Sequence, residues 1–181
     1  MKYTTIIIIF IFIILINLSL SNNLIKINMN NKNYYVQKTH SKEAVKILII
    51  LEKFIEKLSY YLIKENSNNK YLVKQLKKNI IIREIPEHYK GGPSYLKGKN
   101  IIFICLRKNK DEFETNINGL YFVIIHELAH IITKTYGHTK EYWRNNKLVL
   151  NTAIKYNLYN YKNYNNYPIK ICNKIINTTE V

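Results

Sequence analysis

The segment IIHELAHIITKTYGHTKEYW, residues 124–143, contains three of the five histidines in the chain. Side chains four residues apart on an α-helix project from one face, so His126 and His130 would present two imidazoles to one point. Glu127 is turned by about 100° from His126 around such a helix, which places its carboxylate beside that point. The pattern therefore predicts a helix that offers two metal ligands and an adjacent acid to a cleft.

A third ligand is expected shortly after this helix. A catalytic zinc ion usually has three protein ligands and one open position. The helix is predicted to end at Gly137, and a turn there would return His138 toward the metal. Only two carboxylate residues, Glu141 and Glu180, lie downstream of His138. We therefore predict His138 as the third ligand of a zinc ion, and Glu141 as a residue that supports a ligand histidine.

These residue types suit the hydrolysis of a peptide bond. Glu127 would take a proton from the water that attacks a carbonyl and deliver it to the leaving amine. A tyrosine that stabilises the oxyanion would also help, and the chain has 16 tyrosines. The candidates are Tyr136, Tyr159, Tyr161 and Tyr164. Tyr136 is in addition a candidate to support the metal ligands.

Two alternatives stay open for the motif. It could be a buried core helix whose histidines bond to backbone carbonyls, although each buried polar group would then need a partner. It could also be a structural zinc site, although such sites are usually closed by a fourth ligand and rich in thiolates. His88, in a loop rich in Gly and Pro, is either an electrophile near the site or a solvated loop residue.

The composition is that of one folded domain with a basic charge. The chain has 181 residues, of which 47% are hydrophobic, enough for a core and unlike a disordered protein. Its 28 Lys and Arg against 12 Asp and Glu give a net charge of +16. Such an excess of positive charge is typical of proteins that bind partners such as nucleic acid. An A/T-rich gene, however, would produce the same bias toward Lys, Asn, Ile and Tyr. Nucleic acid is therefore only weakly indicated, and no oligomeric state is indicated.

The N-terminal segment, residues 1–21, is predicted to be a signal peptide or a signal anchor. Its apolar block, Ile6 to Leu20, is short for a bilayer span and suitable for the core of a signal. We therefore expect a protein that is anchored in a membrane or secreted. The cysteines, Cys105 and Cys172, are too few for a disulfide scaffold, and the sequence leaves open whether they pair.

Hydrophobic periodicity predicts an α+β domain over residues 41–175, between a linker at 22–40 and a tail at 176–181. Strands are predicted where short apolar runs are bounded by charged residues or turns. The predicted elements are a helix from Ser41 to about Leu62, a short helix at 71–78, strands at 79–85 and 100–106, the motif helix at 118–135, a helix at 139–156, and a late strand or an extended arm at 169–172.

Two longer stretches carry a resemblance to a known family. They are NGLYFVIIHELAHIITKTYGHTKEYWRNNKLVLNTAIKYNLY, residues 118–159, and YLKGKNIIFICLRKNK, residues 95–110. Together they resemble the minimal zincin metallopeptidases of the WLM and SprT-like group, and most of all the WLM-like metallopeptidases encoded by large DNA viruses. The likeness extends over roughly residues 35–175. It implies a chain from a virus or an infected cell.

The resemblance implies a minimal zincin-like fold and a zinc-dependent peptidase. In that family the motif histidines and the next histidine bind zinc, and the motif glutamate is the catalytic base. At the matching positions this chain has His126, His130 and His138, and Glu127. The resemblance also implies that the aromatic pair Tyr142-Trp143 packs the last helix under the site. The strand before the motif helix, here residues 101–106, would lie at the cleft edge and pair with an extended protein or peptide substrate.

This chain departs from the family in two respects. The interval between His130 and His138 is longer than in the cellular WLM proteins, so the turn before the third ligand differs. The cellular relatives act on DNA-linked proteins, whereas a signal or anchor would direct this chain to a membrane. A non-catalytic, membrane-anchored zinc-binding domain and a DNA-associated protease therefore stay open as alternatives.

Overall fold

The computed structural model describes residues 24–177, which form a mixed α+β domain as predicted. The described helices are α1 (Ser41–Glu65), α2 (Lys70–Leu76), α3 (Ile117–Ile132) and α4 (Lys140–Lys155). The described strands are β1 (Leu24–Met29), β2 (Lys32–Gln37), β3 (Ile81–Glu84), β4 (Ser94–Lys97), β5 (Ile101–Ile104), β6 (Ile169–Ile171) and β7 (Lys174–Ile176).

Helix α1 is the platform on which the other elements pack. Its apolar residues recur every three or four positions, and this stripe is buried, with Leu48, Leu51 and Leu58 fully inaccessible. The helix contacts α3, α4 and strands β2 and β3. Phe54 stacks on Tyr121 of α3 with ring centroids 4.1 Å apart, which fixes the helix that carries the histidine motif. The prediction of this helix is confirmed.

Residues 22–40, predicted as a linker, instead contain a β-hairpin. Strands β1 and β2 pair in antiparallel register from Leu24 opposite Gln37 to Met29 opposite Lys32. Asn30 and Asn31 form the turn with φ of 54° and 59°, the left-handed geometry that joins two strands most tightly. Tyr34 and Val36 are two residues apart and so lie on the same face of β2. Because both are buried, the hairpin belongs to the domain core.

A three-stranded sheet has the order β3-β5-β4, with β5 parallel to β3 and antiparallel to β4. The expectation that residues 101–106 lie at the cleft edge is wrong, since β5 is the central strand. The edge is formed by β4, which lies in the region between the two predicted strands. A hairpin turn at Gly98, with φ of 67°, folds β5 back along it.

Helix α3 ends earlier than the sequence predicts. Its last residue is Ile132, and Thr133 adopts an extended conformation. Gly137 is therefore not the residue that ends the helix; it lies within a loop at residues 133–139, where its φ of 78° permits a turn. The early ending gives the chain the length it needs to bring His138 back beside the helix.

The C-terminal strands β6 and β7 form a further hairpin, which includes the late strand predicted at 169–172. Its turn contains Cys172, which forms a disulfide with Cys105, just beyond β5. This bond answers the question that the sequence leaves open. Because β7 extends to Ile176, the hairpin continues one residue beyond the predicted domain boundary at 175.

The predicted signal or anchor at residues 1–21 lies outside the described residues. Among the helices within residues 24–177, none is long and apolar enough to cross a membrane.

Candidate metal centre

The three predicted ligand histidines meet at one point. Helix α3 supplies His126 and His130, one turn apart, and the loop at residues 133–139 supplies His138. The Nε2 atom of His130 lies 3.2 Å from Nε2 of His126 and 3.2 Å from Nε2 of His138, and the remaining pair is 3.4 Å apart. These side chains are placed to bind a metal ion.

The environment keeps the helix-borne ligands neutral. Burial, together with the neighbouring histidines His130 and His138, lowers the pKa of His126 to about 3. Burial likewise lowers the pKa of His130 to about 4, helped by His138 and by the ammonium of Lys99. Because a neutral imidazole has a free lone pair, both groups are available to a metal across the ordinary range of pH.

Tyr142 holds the half-buried ligand His126 in its orientation. The Tyr142 hydroxyl lies 2.7 Å from Nδ1 of His126, and the tyrosine is completely buried. When Nε2 of His126 binds a metal ion, Nδ1 carries the ring proton and donates a hydrogen bond to the Tyr142 oxygen. The Tyr142 ring also packs on the rings of His130 and His138, with centroids 4.2 and 4.7 Å away.

The contact between the Tyr142 hydroxyl and His126 was not predicted from the sequence. The resemblance implies only that the aromatic pair Tyr142-Trp143 packs the last helix under the site. That packing is present, since the Trp143 ring stacks on His138 with centroids 5.4 Å apart. The sequence did contain a signal for this contact. α4 buries an aromatic ring at position 142, and a tyrosine there, unlike a phenylalanine, needs a hydrogen-bond partner for its hydroxyl.

Glu127 lies beside the histidines and is 4% exposed. Its Oε1 atom accepts a hydrogen bond of 2.6 Å from the hydroxyl of Ser94, the first residue of β4. Burial raises the pKa of Glu127 to about 7, and the Ser94 hydrogen bond opposes that rise. The carboxyl group is therefore a stronger base than an exposed glutamate, and one of its oxygens is held in place. No pattern in the sequence pointed to Ser94.

The loop that carries His138 is fixed at both of its sides. Glu141 accepts hydrogen bonds from the backbone N–H and the hydroxyl of Thr135, at 3.3 and 3.1 Å. Lys99 donates to the carbonyls of His130 and Thr133, at 2.8 and 2.6 Å, and so neutralises the end of α3. Glu141 thus supports the third ligand through its loop, whereas the sequence predicts contact with a ligand histidine.

Of the four tyrosines considered for the oxyanion, one borders the centre. Tyr136 lines the cleft and is 87% exposed. Tyr159 and Tyr164 are buried and contact each other through their hydroxyls, 3.2 Å apart. Tyr161 and His88 are not among the residues that line the cleft. Among the described residues, no hydrogen bond joins Tyr136 to a ligand histidine. The ammonium of Lys99 lies over the Tyr136 ring, 5.2 Å from its centroid.

An open cleft of about 380 Å³ gives access to the histidines and Glu127. One wall is β4 with the turn that follows it, and the other is the loop that carries His138. His138 itself is exposed, so the cluster is closed on the helix side and open toward solvent. An arrangement with three ligands on one side and free space on the other can accept a further ligand from solution.

Comparisons with known proteins find relatives in large DNA viruses. The chain is 31% identical over 161 residues to uncharacterized protein R325 of Acanthamoeba polyphaga mimivirus, covering 84% of this chain and 81% of that protein. It is 26% identical over 152 residues to uncharacterized protein 136R of Invertebrate iridescent virus 6, covering 70% of this chain and 84% of that protein. A shorter match, 38% over 61 residues, joins it to uncharacterized protein 042R of Invertebrate iridescent virus 3, covering 34% of this chain and 38% of that protein.

No known protein-family profile matches the chain. No solved structure matches it significantly.

Proposed function

This chain belongs to the same family as uncharacterized protein R325 of mimivirus, and we propose that it is a zinc-dependent metallopeptidase with a minimal zincin-like fold of the WLM and SprT-like type. The observation that carries the proposal is the meeting of three histidine nitrogens with a buried glutamate in an open cleft. The order of edge strand, motif helix, histidine loop and further helix supports it.

The donor set fits zinc. Nitrogen atoms bound to a tetrahedral zinc ion at about 2.0–2.1 Å lie about 3.3–3.4 Å from one another. The three Nε2 atoms are separated by 3.2, 3.2 and 3.4 Å, within a small adjustment of that spacing. Zinc held by His126, His130 and His138 would supply Lewis acidity, polarising the scissile carbonyl and making a water molecule more acidic.

Glu127 is proposed as the general base and acid. Its carboxylate would accept the proton of the attacking water and pass it to the nitrogen of the leaving amine. The hydroxyl of Ser94 occupies Oε1 and leaves the second oxygen to carry that proton. Because the side chain is buried, its negative charge is poorly hydrated, which favours uptake of a proton at neutral pH.

The substrate is proposed to be a protein or peptide in extended form. Strand β4 pairs with β5 on one side, and no other strand among the described residues pairs with its second side. That free edge borders the cleft at Ser94, next to Glu127. An extended peptide added there by main-chain hydrogen bonds would pass over the carboxylate and the histidines.

We also propose that the protein works in an oxidising compartment, reached through the signal or anchor at residues 1–21. The disulfide between Cys105 and Cys172 supports this location, because such bonds persist in secretory and extracellular compartments. Fractionation of the full chain in cells tests it, with thiol alkylation before and after reduction. Membrane or lumenal recovery with both cysteines oxidised is expected. Recovery from the cytosol with free thiols would contradict it.

Metal analysis and cleavage of an unfolded protein test the proposed activity. The parent is expected to contain about one zinc per chain and to cleave, and His138→Ala to lose most of the zinc. Glu127→Gln should keep the zinc while its cleavage rate falls by about 10²–10⁴-fold.

Three other results would point elsewhere. Zinc without cleavage in the parent would indicate the non-catalytic alternative, and absence of zinc in the parent would refute the site. Cleavage that rises with added DNA, together with DNA binding that weakens steeply with salt, would indicate the DNA-associated alternative.

A further inference from the structure

A second cavity, of about 300 Å³, lies on the other side of Glu127. It shares Ser94, His126 and Glu127 with the open cleft, so the carboxylate stands between two spaces. Its remaining side-chain walls are apolar apart from Asn177, and are formed by Pro93, Phe122, Val123, Ile175 and Ile176. We call this space the apolar cavity.

The apolar cavity differs in charge from the cleft. The cleft includes the ammonium of Lys99, whereas the described residues that line the apolar cavity include no Lys, Arg or Asp and no Glu besides Glu127. This lack of cations stands out in a chain with a net charge of +16. A charged side chain placed there would lose hydration without gaining a partner of opposite sign, and an acidic one would also face Glu127.

The walls of the apolar cavity come from elements that are fixed relative to the metal centre. Phe122 and Val123 lie on α3, within the turn before His126. Ile175 and Ile176 lie on β7. The turn of the β6–β7 hairpin is held by the disulfide and by a hydrogen bond of 2.6 Å from the Asn173 side chain to the carbonyl of Lys108. The hairpin therefore forms a preformed wall beside the base.

We infer that the apolar cavity is a specificity subsite for an aliphatic or aromatic side chain of the substrate, close to the scissile bond. The inference rests on the proposed function. A peptide that follows the free edge of β4 reaches Ser94, where the cleft and the apolar cavity meet, and its next side chain on that side enters the cavity. Burial of an apolar side chain there removes its surface from water.

Cleavage of a peptide library by the zinc-loaded full chain tests this inference. Peptides with leucine or phenylalanine at one position near the cut are expected to be cleaved at least about tenfold faster than peptides with aspartate at that position. Ile175→Lys should raise the acceptance of glutamate relative to leucine at that position by at least about threefold, since the new ammonium lies at the rim. Ile175 is 70% exposed, so the substitution leaves the core intact.

Tyr167→Lys is the matched control. Tyr167 is also exposed, at 73%, and does not line the apolar cavity. Its substitution adds the same charge and should leave the cleavage profile unchanged. A profile without apolar preference in the parent, or an equal shift in both variants, would overturn the subsite while leaving the peptidase intact.

A binding measurement keeps the inference testable if the parent cleaves nothing. N-acetyl-leucine amide, titrated into the zinc-loaded protein, should move the methyl NMR signals of Val123 and Ile176, and N-acetyl-aspartate amide should not. Movement without any cleavage would support the subsite and refute the peptidase. Equal response to both probes, or no response, would refute the subsite.

Discussion

Tyr142→Phe should weaken zinc binding without unfolding the protein. The substitution removes one oxygen atom and keeps the ring that packs on the ligand histidines. In the zinc-bound protein the Nδ1–H group of His126 then loses its acceptor, the Tyr142 oxygen, which lies 2.7 Å from Nδ1 in the parent. A buried donor without a partner costs about 1–3 kcal/mol, and His126 also becomes free to place its proton on Nε2, the atom that must bind the metal.

These effects together should raise the dissociation constant for zinc by about 10–100-fold, as is typical when the hydrogen-bond partner of a ligand histidine is removed. Competition with a chromophoric chelator measures the constant, and the tautomer of His126 follows from its ring ¹⁵N shifts in the metal-free protein.

Tyr156→Phe is the matched control. It removes a tyrosine hydroxyl that donates to Glu65 at 2.8 Å, at the C-terminal end of α4 and away from the histidines. Its zinc affinity should equal that of the parent. If Tyr142→Phe binds zinc within twofold of the parent, the hydroxyl does not position His126 and the reasoning is refuted.

Two further predictions concern stability. Replacing both disulfide cysteines with serine should lower the free energy of unfolding by about 4 kcal/mol, from the 67-residue separation, and should weaken the apolar preference; a loss under about 1 kcal/mol in urea would contradict the first part. The metal-free protein should be most stable near pH 6.5, the ordinary pKa of histidine. Below it the unfolded chain gains protons on His126 and His130, whose folded pKa values are about 3 and about 4. Glu127, with its pKa raised from 4.5 to about 7, acts in the opposite direction, so one histidine proton remains uncompensated between pH 4.5 and 6.5. Between pH 6.5 and about 7 only Glu127 still titrates, so stability should decline slightly there and stay level above that range. Urea unfolding with chelator at pH 4.5, 6.5 and 8 checks this, and a flat profile would contradict it.

Local patterns in the sequence predicted the helices well. The apolar stripe of α1 is such a signal, because its residues recur every three or four positions. The ligand cluster was predictable for the same reason, because His126 and His138 are only twelve residues apart and one helix end joins them. Such contacts depend on helix geometry and a short loop, which periodicity and spacing describe.

The parts that sequence analysis missed depend on contacts between distant segments. The pair Ser94 and Glu127 is separated by 33 residues and exists because β4 is the edge strand of the sheet. Strand β4 has only four residues and follows a loop rich in glycine and proline, so it is too short to show an alternation of apolar and polar residues. The β1–β2 hairpin was missed because an Asn-Asn turn in an Asn-rich stretch resembles a linker.

The disulfide between Cys105 and Cys172 has a consequence for the fate of a cut chain. Every ligand histidine, Glu127 and Tyr142 lie in sequence between the two cysteines, so the bond closes a covalent ring that contains the centre apart from Ser94 and Lys99. A single backbone cut anywhere inside this ring, including one made by the protein on itself, leaves both pieces joined. A nicked molecule would therefore retain its mass without reductant and separate into two fragments with it.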